Sequence, residues 1–153
     1  YSDEGHAEVI QINVPKLKIG QVLRTYFESF IRVDVKTWER EDYFDLGSGY
    51  RALIGMKGGM ENKLIMNIIK QIDPHNTTFK VGTGSDPDTL GTNTVYIYDS
   101  DNFKFHQAEL CLQFHNNQTG TYPKQYHEIR KELVSRGKLV KTFCPTPEIV
   151  GCK

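Results

Sequence analysis

The stretch 94–137 constrains the fold of this chain most tightly. Thr94-Val95-Tyr96-Ile97-Tyr98 is β-branched and aromatic, Asp99-Ser100-Asp101-Asn102 is a run of turn formers, and Phe103-Lys104-Phe105 resumes the apolar pattern. That order predicts strand, tight turn and strand. A further apolar run follows over 108–114, and then Tyr122, Tyr126, Ile129 and Leu133 recur at the three-and-four spacing of one helical face. Pro123 suits the first turn of that helix, Gly137 a left-handed cap at its end, and Lys131 and Arg136 the negative pole of its dipole. The expectation is two antiparallel strands and one late helix whose stripe docks on the domain's own sheet.

At 153 residues the chain is long enough for one domain, 1–153, with a real core. Nineteen basic and nineteen acidic residues cancel, so no global field draws it to nucleic acid or to an anionic membrane. No run approaches the roughly twenty apolar residues of a spanning helix, so a soluble protein without membrane insertion is expected. The chain begins at Tyr1 rather than Met, as a mature form would after loss of a targeting peptide. Asn76-Thr77-Thr78 and Asn117-Gln118-Thr119 are glycan acceptor triplets in polar, turn-like stretches. Cys111, Cys144 and Cys152 allow one disulfide and one leftover thiol in any of three pairings. A bridge from Cys111 to the tail would close a loop of more than thirty residues, worth roughly 3–4 kcal/mol. Their spacing is not that of a paired-cysteine metal knuckle, and no metal is expected. Sequons and cysteines together point to a secreted, extracellular glycoprotein.

Upstream, 22–27 and 30–38 read as strands, the second alternating Ile31, Val33 and Val35 against Arg32, Asp34 and Lys36. The charged stretch 39–49 carries the aromatic pair Tyr43-Phe44 and reads as a loop folding over something. A strand over 50–56, a hairpin turn at Lys57-Gly58-Gly59 and a returning strand over 63–72 come next. The β-branched content of 63–72 and the turn before it decide against a helix there. Another strand spans 77–82, and a loop spans 82–93. Seven or eight short strands at roughly ten-residue spacing predict an all-β fold with one C-terminal helix. An eight-stranded antiparallel up-and-down barrel would leave no open edge.

Nucleophile elbow, phosphate loop and His-Glu-x-x-His motifs are missing from the sequence, and the five histidines are scattered. No enzyme and no cofactor are expected. What remains is apolar and aromatic content that a small barrel would turn inward: Trp38, Tyr50, Met66, Phe79, Tyr98, Phe105 and Phe114. Glu109, flanked by Ala108 and Leu110, is the one carboxylate that could join them.

Val95-Tyr96-Ile97-Tyr98-Asp99-Ser100-Asp101-Asn102, then Glu109-Leu110, then the helix over 123–136 and a terminal cysteine segment resemble the lipocalins, and more closely the salivary lipocalins of ticks. Phe103 stands where the amine-binding members carry a cysteine, Cys111 replaces their aromatic residue, and the helix has no cysteine. Loss of that signature, with aromatics kept, implies a neutral hydrophobic ligand such as a sterol (cholesterol) or a fatty acid. The resemblance implies a monomeric carrier that modulates a host's immune or inflammatory response. A histamine or serotonin scavenger using Glu109 is the first alternative. The second is a protein that meets a host immune-cell receptor or complement component through the loops 39–49 or 82–93.

Overall fold

A computed structural model of the chain describes residues 5–34, 37–40, 44–106 and 123–138. The chain forms two compact units, residues 1–105 and 106–153. The first is built on a three-stranded parallel sheet of β3 (Leu53–Met56), β4 (Thr78–Val81) and β5 (Thr94–Asp99). β5 lies between the other two, with Leu53 opposite Tyr96 and Thr78 opposite Thr94. Two-residue strands β1 (Ile31–Arg32) and β2 (Trp38–Glu39) pair antiparallel in a separate small ribbon.

β3 and β4 run parallel on either side of β5 and cannot be joined by a tight hairpin, so the link between them has to be a crossover. It is the helix α2 (Lys63–Ile72), which starts where the Asn62 side chain accepts the Ile65 N–H at 3.2 Å. α2 buries Met66 and Ile69 and leans Ile65, Ile68 and Ile72 on the core. Helix α1 (Ile19–Glu28) contributes Leu23 and Phe27 at helical spacing, with Ile19, Tyr26 and Phe30 beside them. Phe27 and Ile69 are fully buried, each worth about 1.5–3 kcal/mol of apolar transfer.

β5 is covered on both faces, which explains its unbroken apolar and aromatic run. Val95 and Ile97 meet the core of α1 and α2. By the alternation of a strand, Tyr96 and Tyr98 point to the other face. There Tyr98 packs edge-to-face on Phe103 at 4.9 Å.

The eight-stranded antiparallel lipocalin-type barrel is therefore corrected: the described residues hold five short strands in two open sheets, and three helices. The stretches 22–27 and 63–72 are helical because their apolar residues serve one face at three-and-four spacing, which outweighs the β-branched count. Gly58 and Gly59, both at positive φ, turn the chain from β3 towards α2 instead of closing a hairpin. At Gly59 a Cβ would lie 3.2 Å from the Asp99 amide nitrogen. Of the described residues in 30–38, only Ile31, Arg32 and Trp38 fall in strands, and the Asp34 carboxylate accepts the Thr37 N–H at 3.0 Å. Residues 103–105 form no strand, since the Asn102 and Phe103 amides both bond to the Asp99 carbonyl. The expected strand at 108–114 lies outside the described residues.

The second unit contains α3 (Lys124–Ser135), beginning after Pro123. Gly137 at φ 63° and the Lys138 N–H bonded to the Leu133 carbonyl at 2.9 Å close it in a Schellman-type cap. None of its residues is fully buried, and Ile129 and Val134 are exposed.

Candidate functional site

The antiparallel ribbon and two loops enclose an open groove of about 500 Å³. Val33, Thr37, Trp38 and Glu39 come from the ribbon, Asp45 and Leu46 from the segment after it, and Leu90 and Gly91 from the loop before β5. Trp38 is 3 % exposed, its ring held between Phe30 at 4.0 Å and His75 at 6.1 Å, and its carbonyl accepts the Gly91 N–H at 3.2 Å. Val33, Leu46 and Leu90 are exposed.

The groove owes its shape to Arg40. Its guanidinium pairs two-pronged with Asp88, and the Nη1–Oδ2 arm measures 3.2 Å. It also donates to the Asp45 carbonyl, and to the Tyr50 carbonyl at 2.8 Å. Asp88 in turn accepts the Gly47 N–H at 2.8 Å and the Leu90 N–H at 3.0 Å. One ion pair thus fixes three separate segments in one geometry. Burial pushes the Asp88 carboxyl up, but Arg40 and the two backbone donors outweigh it and hold it at about 2. Arg40 is neutralised by Asp88, and Glu39 brings a carboxylate to the lining. The walls are mainly apolar.

A second polar cluster lies on the far face of the sheet. Arg51, 5 % exposed, donates to the Tyr98 hydroxyl at 2.9 Å and to the carbonyls of Ser48, Gly5 and Gly84 at 2.6, 2.9 and 2.8 Å. The Tyr98 hydroxyl donates to Asp86, which also accepts the Thr83 hydroxyl at 2.7 Å and the Thr83 N–H at 2.8 Å. Burial raises the Asp86 carboxyl, yet the hydrogen bonds from Tyr98, Thr83 and Gly84 bring it below its usual value. Burial and the bond to Asp86 push the Tyr98 phenol up to about 12. The phenol stays protonated and the carboxylate ionised near neutrality, in a place closed to substrate. That is a structural lock and not an acid–base pair. Among the described residues no three His, Cys, Asp or Glu side chains gather to hold a metal ion.

The residues expected to line one barrel do not converge. Trp38 lines the groove, and Met66 is packed in the helix-side core. Phe79 rests half-buried on Phe27, ring centroids 6.3 Å apart. Tyr98 belongs to the opposite face, Tyr50 gives its carbonyl to Arg40, and Phe105 is 42 % exposed beyond β5. Glu109, Phe114, Asn117, Cys111, Cys144 and Cys152 lie outside the described residues, while Asn76 is exposed between α2 and β4. Sequence reading missed Val33, Glu39, Arg40, Leu46, Asp88 and Leu90 as site residues. Arg40 and Asp88 are 48 positions apart, and no local pattern marks such a pair; only the loop-like character of 39–49 and 82–93 hinted at it. Comparison with protein-family models, with curated proteins and with solved structures finds no match to this chain, so its site rests on its own geometry.

Proposed function

We propose that this protein is a binding module for a small, largely apolar molecule, neutral or cationic, taken up in the groove of Trp38, Leu46 and Leu90. The observation that carries this reading is the groove itself. Its volume is that of ordinary small-molecule sites, its walls are apolar, and the Arg40–Asp88 pair holds it preformed. Covering about 200 Å² of apolar ligand surface would contribute about 5 kcal/mol before the costs of association. Glu39 sets the polarity of the ligand: a fatty-acid carboxylate would meet like charge, whereas a sterol would not and an amine would gain.

Trp38 is the only tryptophan, so its emission reports on the groove. Titration with a soluble sterol and with a phenylalkyl amine is expected to shift or quench it saturably, and a fatty acid to act at least several-fold more weakly. Leu46→Asp, at an exposed position, should weaken the apolar ligands about tenfold, and Glu39→Gln should weaken the amine alone. Emission unmoved by all three ligands would discard the reading.

Leu46, a groove residue 61 % exposed, and Phe44 two positions before it, 73 % exposed, favour a second reading in which this segment meets a protein such as an immune-cell receptor. Phe44→Ser separates the two, since it should abolish capture of a protein partner and leave the Trp38 titration unchanged.

A further inference from the structure

We infer that Asn76 is an attachment site for an N-linked oligosaccharide, and that the turn carrying it is built to hold the asparagine amide free. Asn76 is exposed, and among the described residues it is the only one other than glycine with positive φ, at 51°. Asparagine is among the few residues that take this conformation readily. The backbone around it is fixed by neighbours, not by its own side chain. Asn93 Nδ2 donates to the Asn76 carbonyl at 3.0 Å and to the His75 carbonyl at 3.3 Å. The Asp73 carboxylate accepts the His75 N–H at 2.9 Å, the Thr77 N–H at 2.6 Å and the Thr77 hydroxyl at 2.9 Å. Thr77 is thereby buried and engaged, while Thr78, whose hydroxyl completes the acceptor triplet, is exposed at the start of β4.

A hollow of about 460 Å³ adjoins Asn76, lined by Lys70, Asp73, Pro74, Thr77 and Phe79, so the innermost sugars have a seat beside the turn. In the transfer, the Asn76 amide nitrogen attacks the anomeric carbon of an oligosaccharide carried on a lipid pyrophosphate. The nitrogen–carbon bond forms as the carbon–oxygen bond to the pyrophosphate breaks, the bonding pair leaves with the lipid pyrophosphate, and one amide proton passes to a basic group of the transferase. This site shares no residue with the groove, so either can fail without the other.

The test is the full chain expressed behind a secretion signal in a eukaryotic cell, followed by peptide-N-glycosidase treatment in heavy-oxygen water and peptide mapping. Asn76 should return as heavy-oxygen aspartate, Thr78→Ser should keep that tag, and Thr78→Ala should lose it at Asn76 while leaving Asn117 as it was. Translation of the same chains into microsomes reads the modification without requiring a folded, secreted product. An Asn76 peptide recovered with its amide unmodified from chains that entered the microsomes overturns the inference.

Discussion

At the scale of single residues, the Arg51–Tyr98–Asp86 lock shows how a polar group can sit in the interior of this unit. Every donor that Tyr98 and Asp86 need comes from a fixed neighbour, and Arg51 reaches back to the carbonyls of Gly5 and Ser48 to bind the N-terminal segment to the sheet. Tyr98→Phe keeps the ring against Phe103 and deletes only the hydroxyl. Asp86 then loses its phenolic donor and the Arg51 Nε–H its acceptor, at a cost of about 1–3 kcal/mol. Urea denaturation should show that loss as a lower midpoint with an unchanged slope; an unchanged midpoint would mean the lock contributes nothing. Little of this was legible in the sequence, where Asp86-Pro87-Asp88 reads as part of the loop 82–93 and Arg51 as one charge at the start of a strand. The partners lie 12 and 47 positions from Tyr98, and periodicity carries no information at that range.

Elements were more legible where one force decided them. β5 and its terminal turn, β4, and α3 with its Gly137 cap all follow from local pattern, because burial on both faces, strand propensity and capping agree there. α1 and α2 did not, since short segments carrying β-branched and aromatic residues (Val22, Thr25, Tyr26 and Phe27 in α1, four isoleucines in α2) satisfy both the strand and the helix pattern. What settles them is tertiary: α2 has to carry the chain from one parallel strand to another, and the Gly58–Gly59 turn that looks like a hairpin starts that crossing. The barrel expectation failed at the same point, because strand rhythm says nothing of strand direction. Close packing between elements is equally invisible beforehand. Gly82 follows β4 directly, and a Cβ there would come within 2.3 Å of the Tyr98 ring. Gly82→Ala should therefore displace the ring and cost about 1–3 kcal/mol by overpacking. Near-ultraviolet circular dichroism, which reports tyrosine environments, should change along with the melting temperature.

For the molecule as a whole, the Arg40–Asp88 pair makes the groove an acid-sensitive feature. The Asp88 carboxyl titrates at about 2 when folded, below the unfolded carboxylate value of about 3.9. A depressed carboxyl stabilises the fold above the unfolded value, and that contribution drains away as pH falls from about 4 towards 2. Asp88→Asn should lower stability at neutral pH and flatten this decline, so that variant and wild type converge near pH 2 in urea titrations. A difference that stays constant with pH would remove Asp88 as the cause.

The strand order has a consequence for how the polypeptide is made. The central member of the sheet emerges last, after both of its flanks, and until residue 99 has left the ribosome those flanks share no hydrogen bond with each other. The early helices can gather in the nascent chain, but the sheet must wait open for a wedge, and its completion is a single late event instead of a stepwise build.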